Sequence, residues 1–175
     1  MQLPKRTLDL HPVSASPATA IEVDIVRVAA DVLSLGYSMR GDLADLIVPP
    51  QHPSVRADDL WKHTCFEAFL SAGQGYYEFN FSPSTQWAAY RFDRHRMGMR
   101  DAETDAPSIR WDRDGDTATL TATIRLPSDV TGPLGLSVIV EDICGNRSFW
   151  ALAHPPGEPD FHHPACFAAE LPPAE

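Results

Sequence analysis

The chain has 175 residues, 43% of them hydrophobic, which is enough apolar surface for one core at a length typical of one domain. Asp and Glu number 24 against 14 Lys and Arg, and the formal net charge of −10 repels phosphate backbones and anionic lipid, so neither nucleic acid nor a membrane surface is an expected partner. No apolar run reaches the length of a signal-peptide core or a membrane span, which makes the cytoplasm the expected location, and Cys65, Cys144 and Cys166, without CxxC spacing, read as reduced thiols.

The dominant period along the chain is two. In "AIEVDIVRVAA" the residues Ile21, Val23, Ile25 and Val28 fall nearly alternately with polar ones, and "DVLSLGYSMRG" continues through Leu33, Leu35, Tyr37 and Met39, which predicts two adjacent strands. Further strand-like runs follow in order: "DLIVPP", "KHTCFEAFLS", "YYEFNFS", "QWAAYRFD", "PSIRWDRDGDTATLTATIRL", "LGLSVIVED" and "SFWALAH". Gly73 and Gly75 allow a reversal between two of them, and Asp114-Gly115 predicts a tight hairpin between alternating segments. No long 3.6-residue stripe interrupts this pattern. The expectation is an all-β fold, an antiparallel β-sandwich of jelly-roll-like, immunoglobulin-like two-sheet architecture, in a single domain over 1–175 with its core at about 20–171.

Alternation also assigns faces. Tyr77, Phe79 and Phe81 form one apolar set, leaving Tyr76, Glu78 and Asn80 on the other side. Phe66, Ala68 and Leu70 read as core, with His63, Cys65 and Glu67 opposite, and Leu134, Leu136, Val138 and Val140 read as core with Ser137 and Glu141 opposite. By the same parity Trp87 shares a face with Arg91, and Trp150 with His154. If those faces coincide, one surface offers Trp, Glu, Asn, Arg and His together.

Two blocks carry a family likeness. "DDLWKHTCFEAFLSAGQGYYEFNFSPSTQWAAYRFD", Asp58 to Asp93, and "GLSVIVEDICGNRSFWALAHPPGEPDFHHPACF", Gly135 to Phe167, resemble the DOMON-like proteins related to family 9 carbohydrate-binding modules. The pairing of "CFEAFL" with "YYEFNFSP" is similar to that family's strand pair, in which a carboxylate-bearing strand precedes one running into a proline-containing loop. The resemblance implies a β-sandwich that recognises sugars or, in some relatives, haem. Related modules hold sugar between two aromatic rings, which by motif position implies Trp87 and Trp150; Trp61 lies in the same blocks, and Trp111 sits in the hairpin.

The residue chemistry agrees with a sugar. A pyranose stacks its C–H face on an indole and takes hydrogen bonds from carboxylates, amides and guanidinium groups. The expected site is Trp87 and Trp150 as platforms, Glu67, Glu78 and Asn80 as hydroxyl partners, and Arg91, His154 and His63 as polar closers, binding a small carbohydrate or related polar molecule without turnover. In a cytoplasmic setting, cell-wall precursors, sugar phosphates or nucleotide sugars fit better than cellulose, although the acidic balance disfavours strongly anionic ones. Glu67 and Glu78 could instead serve as the acid and nucleophile of a hydrolase, since neighbouring strands can hold two carboxyls about 5–9 Å apart.

"WALAHPPGEPDFHH", Trp150 to His163, is too polar and too proline-broken for a core element and reads as a lip at the rim of the site. His154, His162, His163 and Cys166, with Asp160 between them, carry zinc-ligating atoms, though not at a finger spacing, and a histidine, or Met97 or Met99, would be the ligand of a haem. No cofactor is expected. A structural calcium, which the resemblance also implies, would draw on Asp58, Asp59, Asp142 and Asn146. "FDRHRMGMRD" reads as a solvated connection.

Overall fold

A computed structural model describes residues 4–174. Its strands are β1 Arg6–Leu10, β2 Ala18–Ala29, β3 Val32–Gly41, β4 Cys65–Ala72, β5 Gly75–Phe81, β6 Trp87–Phe92, β7 Arg100–Asp101, β8 Ser108–Asp114, β9 Thr117–Arg125, β10 Val130–Glu141 and β11 Arg147–Ala151. The fold is all-β. Among the described residues these eleven strands hydrogen-bond into one antiparallel sheet in the order β7-β6-β5-β4-β10-β11-β1-β2-β3-β9-β8.

The joint is β1. Arg6, Thr7 and Leu8 pair with β2, while Asp9 and Leu10 pair with β11, so one five-residue strand stitches the two halves of the sheet together. The sheet curls until its halves share a core. Tyr37 of β3 donates its hydroxyl to the Glu67 carbonyl of β4 at 2.8 Å, and the Phe66 ring of β4 meets Tyr37 and Trp111 of β8 with centroids 5.2 and 5.8 Å away.

The apolar sets that alternation selects fill this core, except Val28 near the end of β2, which is exposed: Ile21, Val23 and Ile25, Leu33 to Met39 on odd numbers, Phe66, Ala68 and Leu70, Phe79 and Phe81, and Leu134 to Val140 on even numbers. Each large side chain removed from water here contributes about 1.5–3 kcal/mol before its ordering entropy is subtracted. Two-residue turns close both expected hairpins. Gly73 (φ 56°) joins β4 to β5, and Gly115 (φ 60°) joins β8 to β9. The second turn is Gly115-Asp116 rather than Asp114-Gly115, because Asp114 pairs with Thr117 and so belongs to the ladder.

"DLIVPP" is not a strand. Asp42 caps a 3₁₀ turn at Leu43–Asp45 by accepting the Ala44 N–H, Leu46 makes one bridge to Asp142, and Pro49-Pro50 offers no donor for a ladder. Cys65 and Cys166 are buried and Cys144 is exposed; none is in a disulfide.

Candidate functional site

The residues that alternate with the core set project from the outer side of β4, β5, β6 and β10. They are not solvated. Phe69, Tyr76, Tyr90, Phe92, Ile139 and Phe161 form a second apolar cluster there, partly covered by the chain that follows β11. That explains why β4 reads as an almost unbroken apolar run: both of its faces are buried. A pocket of about 390 Å³ opens into this cluster. Glu67 and Glu78, 2% and 6% exposed, line it; Tyr90, Phe92, Ile139, Phe149, Phe161 and His162 wall it, and the exposed Trp61, Arg96 and Met99 stand at its mouth.

Register brings the two carboxylates together. Glu67 is directly opposite Asn80, and Asn80 follows Glu78 by two residues on the same face, so the acids are diagonal neighbours on adjacent strands. Ser137 of β10 donates to Glu67 Oε2 at 2.8 Å, and Asn80 Nδ2 donates to Glu78 Oε1 at 3.1 Å. Burial pushes the Glu67 carboxyl well above the ordinary carboxylate range, Glu78 beside it adds to the rise, and the Ser137 bond and Arg96 oppose it. Glu78 is also raised by burial, against the Asn80 bond and Arg96.

The mouth is assembled from three loops. Trp61 sits on a 3₁₀ turn, Leu60–Lys62, entered through Asp59 in the left-handed region (φ 62°); its indole is 42% exposed with the Lys62 and Arg147 cations 5.7 and 5.8 Å from the ring. Arg96, between β6 and β7, is also left-handed (φ 54°) and donates through Nε and Nη2 to Asp160 Oδ1 at 3.1 and 2.9 Å. His95 Nε2 lies 2.7 Å from Asp160 Oδ2, so one carboxylate ties the β6–β7 loop to the C-terminal segment. Partial burial pushes Asp160 up, but the His95 and Arg96 bonds outweigh it and hold the carboxyl below its usual range.

His162 reaches the pocket from the same segment. Tyr76 Oη accepts the Arg96 backbone N–H, and the arrangement that leaves each donor paired has the Tyr76 hydroxyl donating to His162 Nδ1 at 2.8 Å. The ring hydrogen then sits on Nε2, 3.6 Å from Glu78 Oε2. Burial, assisted by Arg96 and His95, pushes His162 down to about 4, so the ring is neutral at physiological pH.

No protein-family model matches the chain, and neither does any curated protein. Solved structures do. The fold is similar to that of a "putative carbohydrate-binding protein" from Bacteroides uniformis, with a TM-score of 0.64 and 14% identity over 94% of this chain and 84% of that one. It is also similar to a carbohydrate-binding module of family 9 from Caldicellulosiruptor kristjanssonii, in complex with cellotriose, with a TM-score of 0.56 and 9% identity over 89% of this chain and 75% of that one. At such identities the likeness is one of fold.

Of the residues expected to form the site, Glu67, Glu78 and Asn80 do come together. Trp87 and Trp150 do not join them. Trp87 pairs with Phe81 and Trp150 with Val138, register partners share a face, and both indoles therefore point into the core, 6% and 4% exposed. Arg91, opposite Tyr77, stacks 4.8 Å over that ring and donates to the Phe92 and Ala72 carbonyls, away from the pocket. His154 lies beyond the end of β11 with Nε2 2.8 Å from the Asp9 carbonyl, and exposed His63 is held by Glu141 at 2.8 Å. Trp61, Tyr90, Phe92 and Arg96 take the places these residues were expected to fill.

The metal candidates disperse as well. Among the described residues no three His, Cys, Asp or Glu side chains converge as a metal site. Asp160 is committed to Arg96 and His95, and His163 Nδ1 accepts the Ala165 N–H. Cys166 donates to the Asp160 carbonyl. Asp58 accepts from Tyr90, Asp59 from Lys62, and Asp142 from Cys144 and Asn146 within its own turn, so the oxygens proposed for calcium serve separate local bonds. His162 and Met99 both line the pocket, yet both nitrogens of that ring already face Tyr76 and Glu78, and two buried carboxylates do not suit haem.

Proposed function

We propose that this chain is a non-catalytic binding module for a carbohydrate or related polar small molecule, a β-sandwich whose halves act as the two layers, akin to the DOMON-like and family 9 proteins that its two sequence blocks resemble. The observation that carries the reading is the convergence of Glu67, Glu78, Arg96 and the half-exposed Trp61 on one pocket walled by aromatic rings. Few precisely placed polar groups in an otherwise apolar pocket are what orient a small ligand. Two carbohydrate-associated proteins of the same fold support it.

In this reading Trp61 stacks on a sugar ring, Arg96 and the carboxylates bond hydroxyls, and the C-terminal segment is the wall. Trp61→Ala should weaken binding about tenfold or more, since an aromatic contact is worth about 0.5–1.5 kcal/mol beyond its buried area. Calorimetric titration across a glycan panel measures it. Wild-type protein that takes no member of the panel would refute the proposal.

A second reading has its own observation. Two carboxylates on adjacent strands, both raised and both in one pocket, are the pairing that sugar hydrolases use. Under the binding proposal, chromogenic glycosides are not turned over. Measurable turnover that both Glu67→Gln and Glu78→Gln abolish would establish hydrolysis instead.

A further inference from the structure

The pocket's acidic floor has no cation of its own. Glu67 binds Ser137 through Oε2 and Glu78 binds Asn80 through Oε1, but among the described residues Glu67 Oε1 and Glu78 Oε2 accept no hydrogen bond. No Lys or Arg side chain of the described residues lies within ion-pair distance of either acid. Arg96, the guanidinium at the mouth, is bonded to Asp160, and His162 presents an N–H to Glu78 without carrying charge. Asn80, fully buried behind the two acids, is bonded to Glu78 and stands opposite Glu67 in register, so it brings no positive charge to the floor either.

Buried carboxylates without a counter-ion are costly, and proteins resolve them with a proton or a cation. The pocket leaves room for the second solution. We propose that Glu67 and Glu78 seat an ammonium group of the ligand, so that the sugar this pocket takes is an amino sugar with a free amine. The inference rests on the carbohydrate reading above and specifies its substrate class.

An ammonium donates to both carboxylate oxygens that the protein leaves open, Glu67 Oε1 and Glu78 Oε2, and charge-assisted bonds to carboxylate are about twice as strong as neutral ones. A hydroxyl at the same place offers one donor and no charge. N-acetylation would remove the cation and add bulk beside the buried acids. The aromatic wall remains to stack the rest of the ring, which distinguishes a sugar from a simple amine.

The test is calorimetry on the full chain at neutral pH with three trisaccharides: the glucosamine trimer, its N-acetylated form, and cellotriose. The expected result is that the glucosamine trimer binds at least tenfold tighter than the other two. Glu78→Gln should erase that preference, while Trp61→Ala should weaken binding of all three. Cellotriose or the acetylated trimer binding as well as the free amine overturns the amino-sugar assignment and leaves the carbohydrate reading standing. Methylamine competing as effectively per amine as the trimer also overturns it, by showing that no sugar ring is sensed. Binding of none of the three overturns the amino-sugar assignment, and failure of the whole glycan panel overturns the carbohydrate reading as well.

Discussion

Trp150→Ala should lower the free energy of unfolding by about 3–5 kcal/mol while leaving the ligand affinity of the folded protein unchanged. Trp150 is the Cα partner of Leu10 on one side and Val138 on the other, at the seam where β1 joins the two halves of the sheet. Its indole is sealed in the core and its N–H donates to Ser16 Oγ at 3.2 Å, which also pins the segment between β1 and β2. Truncation therefore leaves a large void at the place where one short strand holds the halves together, and a void of that kind is only partly filled by relaxation. A urea unfolding series measures the loss through a lower midpoint. Near-native stability with abolished ligand binding would instead make Trp150 a contact residue and reverse the assignment of faces. The contrast with Trp61 is the useful part: one indole should move the unfolding midpoint, the other the affinity.

The reason those two tryptophans are hard to sort by reading lies in register. Alternation along β4, β5 and β10 separates Phe66 from Glu67, Phe79 from Glu78 and Val138 from Ser137 without reference to any other strand, and each of these assignments stands in the fold. Whether Trp87 falls on the side of Phe81 or of Asn80 depends on how the "SPSTQ" turn sets the pairing, and its composition does not say. Trp61 and Arg96 escape for another reason. They sit on loops, where no period applies, and their positions come from left-handed residues at Asp59 and Arg96 itself and from the Asp160 tie across 64 residues of chain. The cluster of capping and turn residues in "ADDLWKH" was the available signal for Trp61; nothing local marks Arg96. The strand β1 was also missed, because "RTLDL" offers only Leu8 and Leu10 as an apolar alternation before His11-Pro12 ends it. In "HPPGEPDFHHP", expected as a lip beside Trp150, His162 faces Tyr76 and Asp160 holds Arg96, whereas His154 binds back to the end of β1.

The buried acids make the protein less stable as pH rises. In the unfolded chain both titrate near the ordinary carboxylate value of 4.5, whereas in the folded protein burial raises Glu67 to about 8 and Glu78 to about 7. Between those limits the native state holds protons that the unfolded state has released, so the slope of unfolding free energy against pH is negative: stability from this pair is complete below pH 4.5 and is lost progressively toward pH 8. The groups facing the pair do not supply a compensating charge change in that window. His162 is already neutral above about 4, and burial raises Tyr76, Tyr90 and Cys65 from their ordinary values. Glu67→Gln removes one acid and keeps the shape, and should raise stability at pH 8 by roughly 2–3 kcal/mol while changing little at pH 4.5. Unfolding midpoints of the two proteins across that range provide the measurement, and parallel curves would mean that the native pair stays ionised throughout. A saturating cationic ligand should do to the wild type what the substitution does, because it replaces the missing proton with a positive charge, whereas a neutral sugar should leave the slope in place. The pH profile therefore reports on the acids twice: once as a cost carried by the empty pocket, and again as the source of its selectivity.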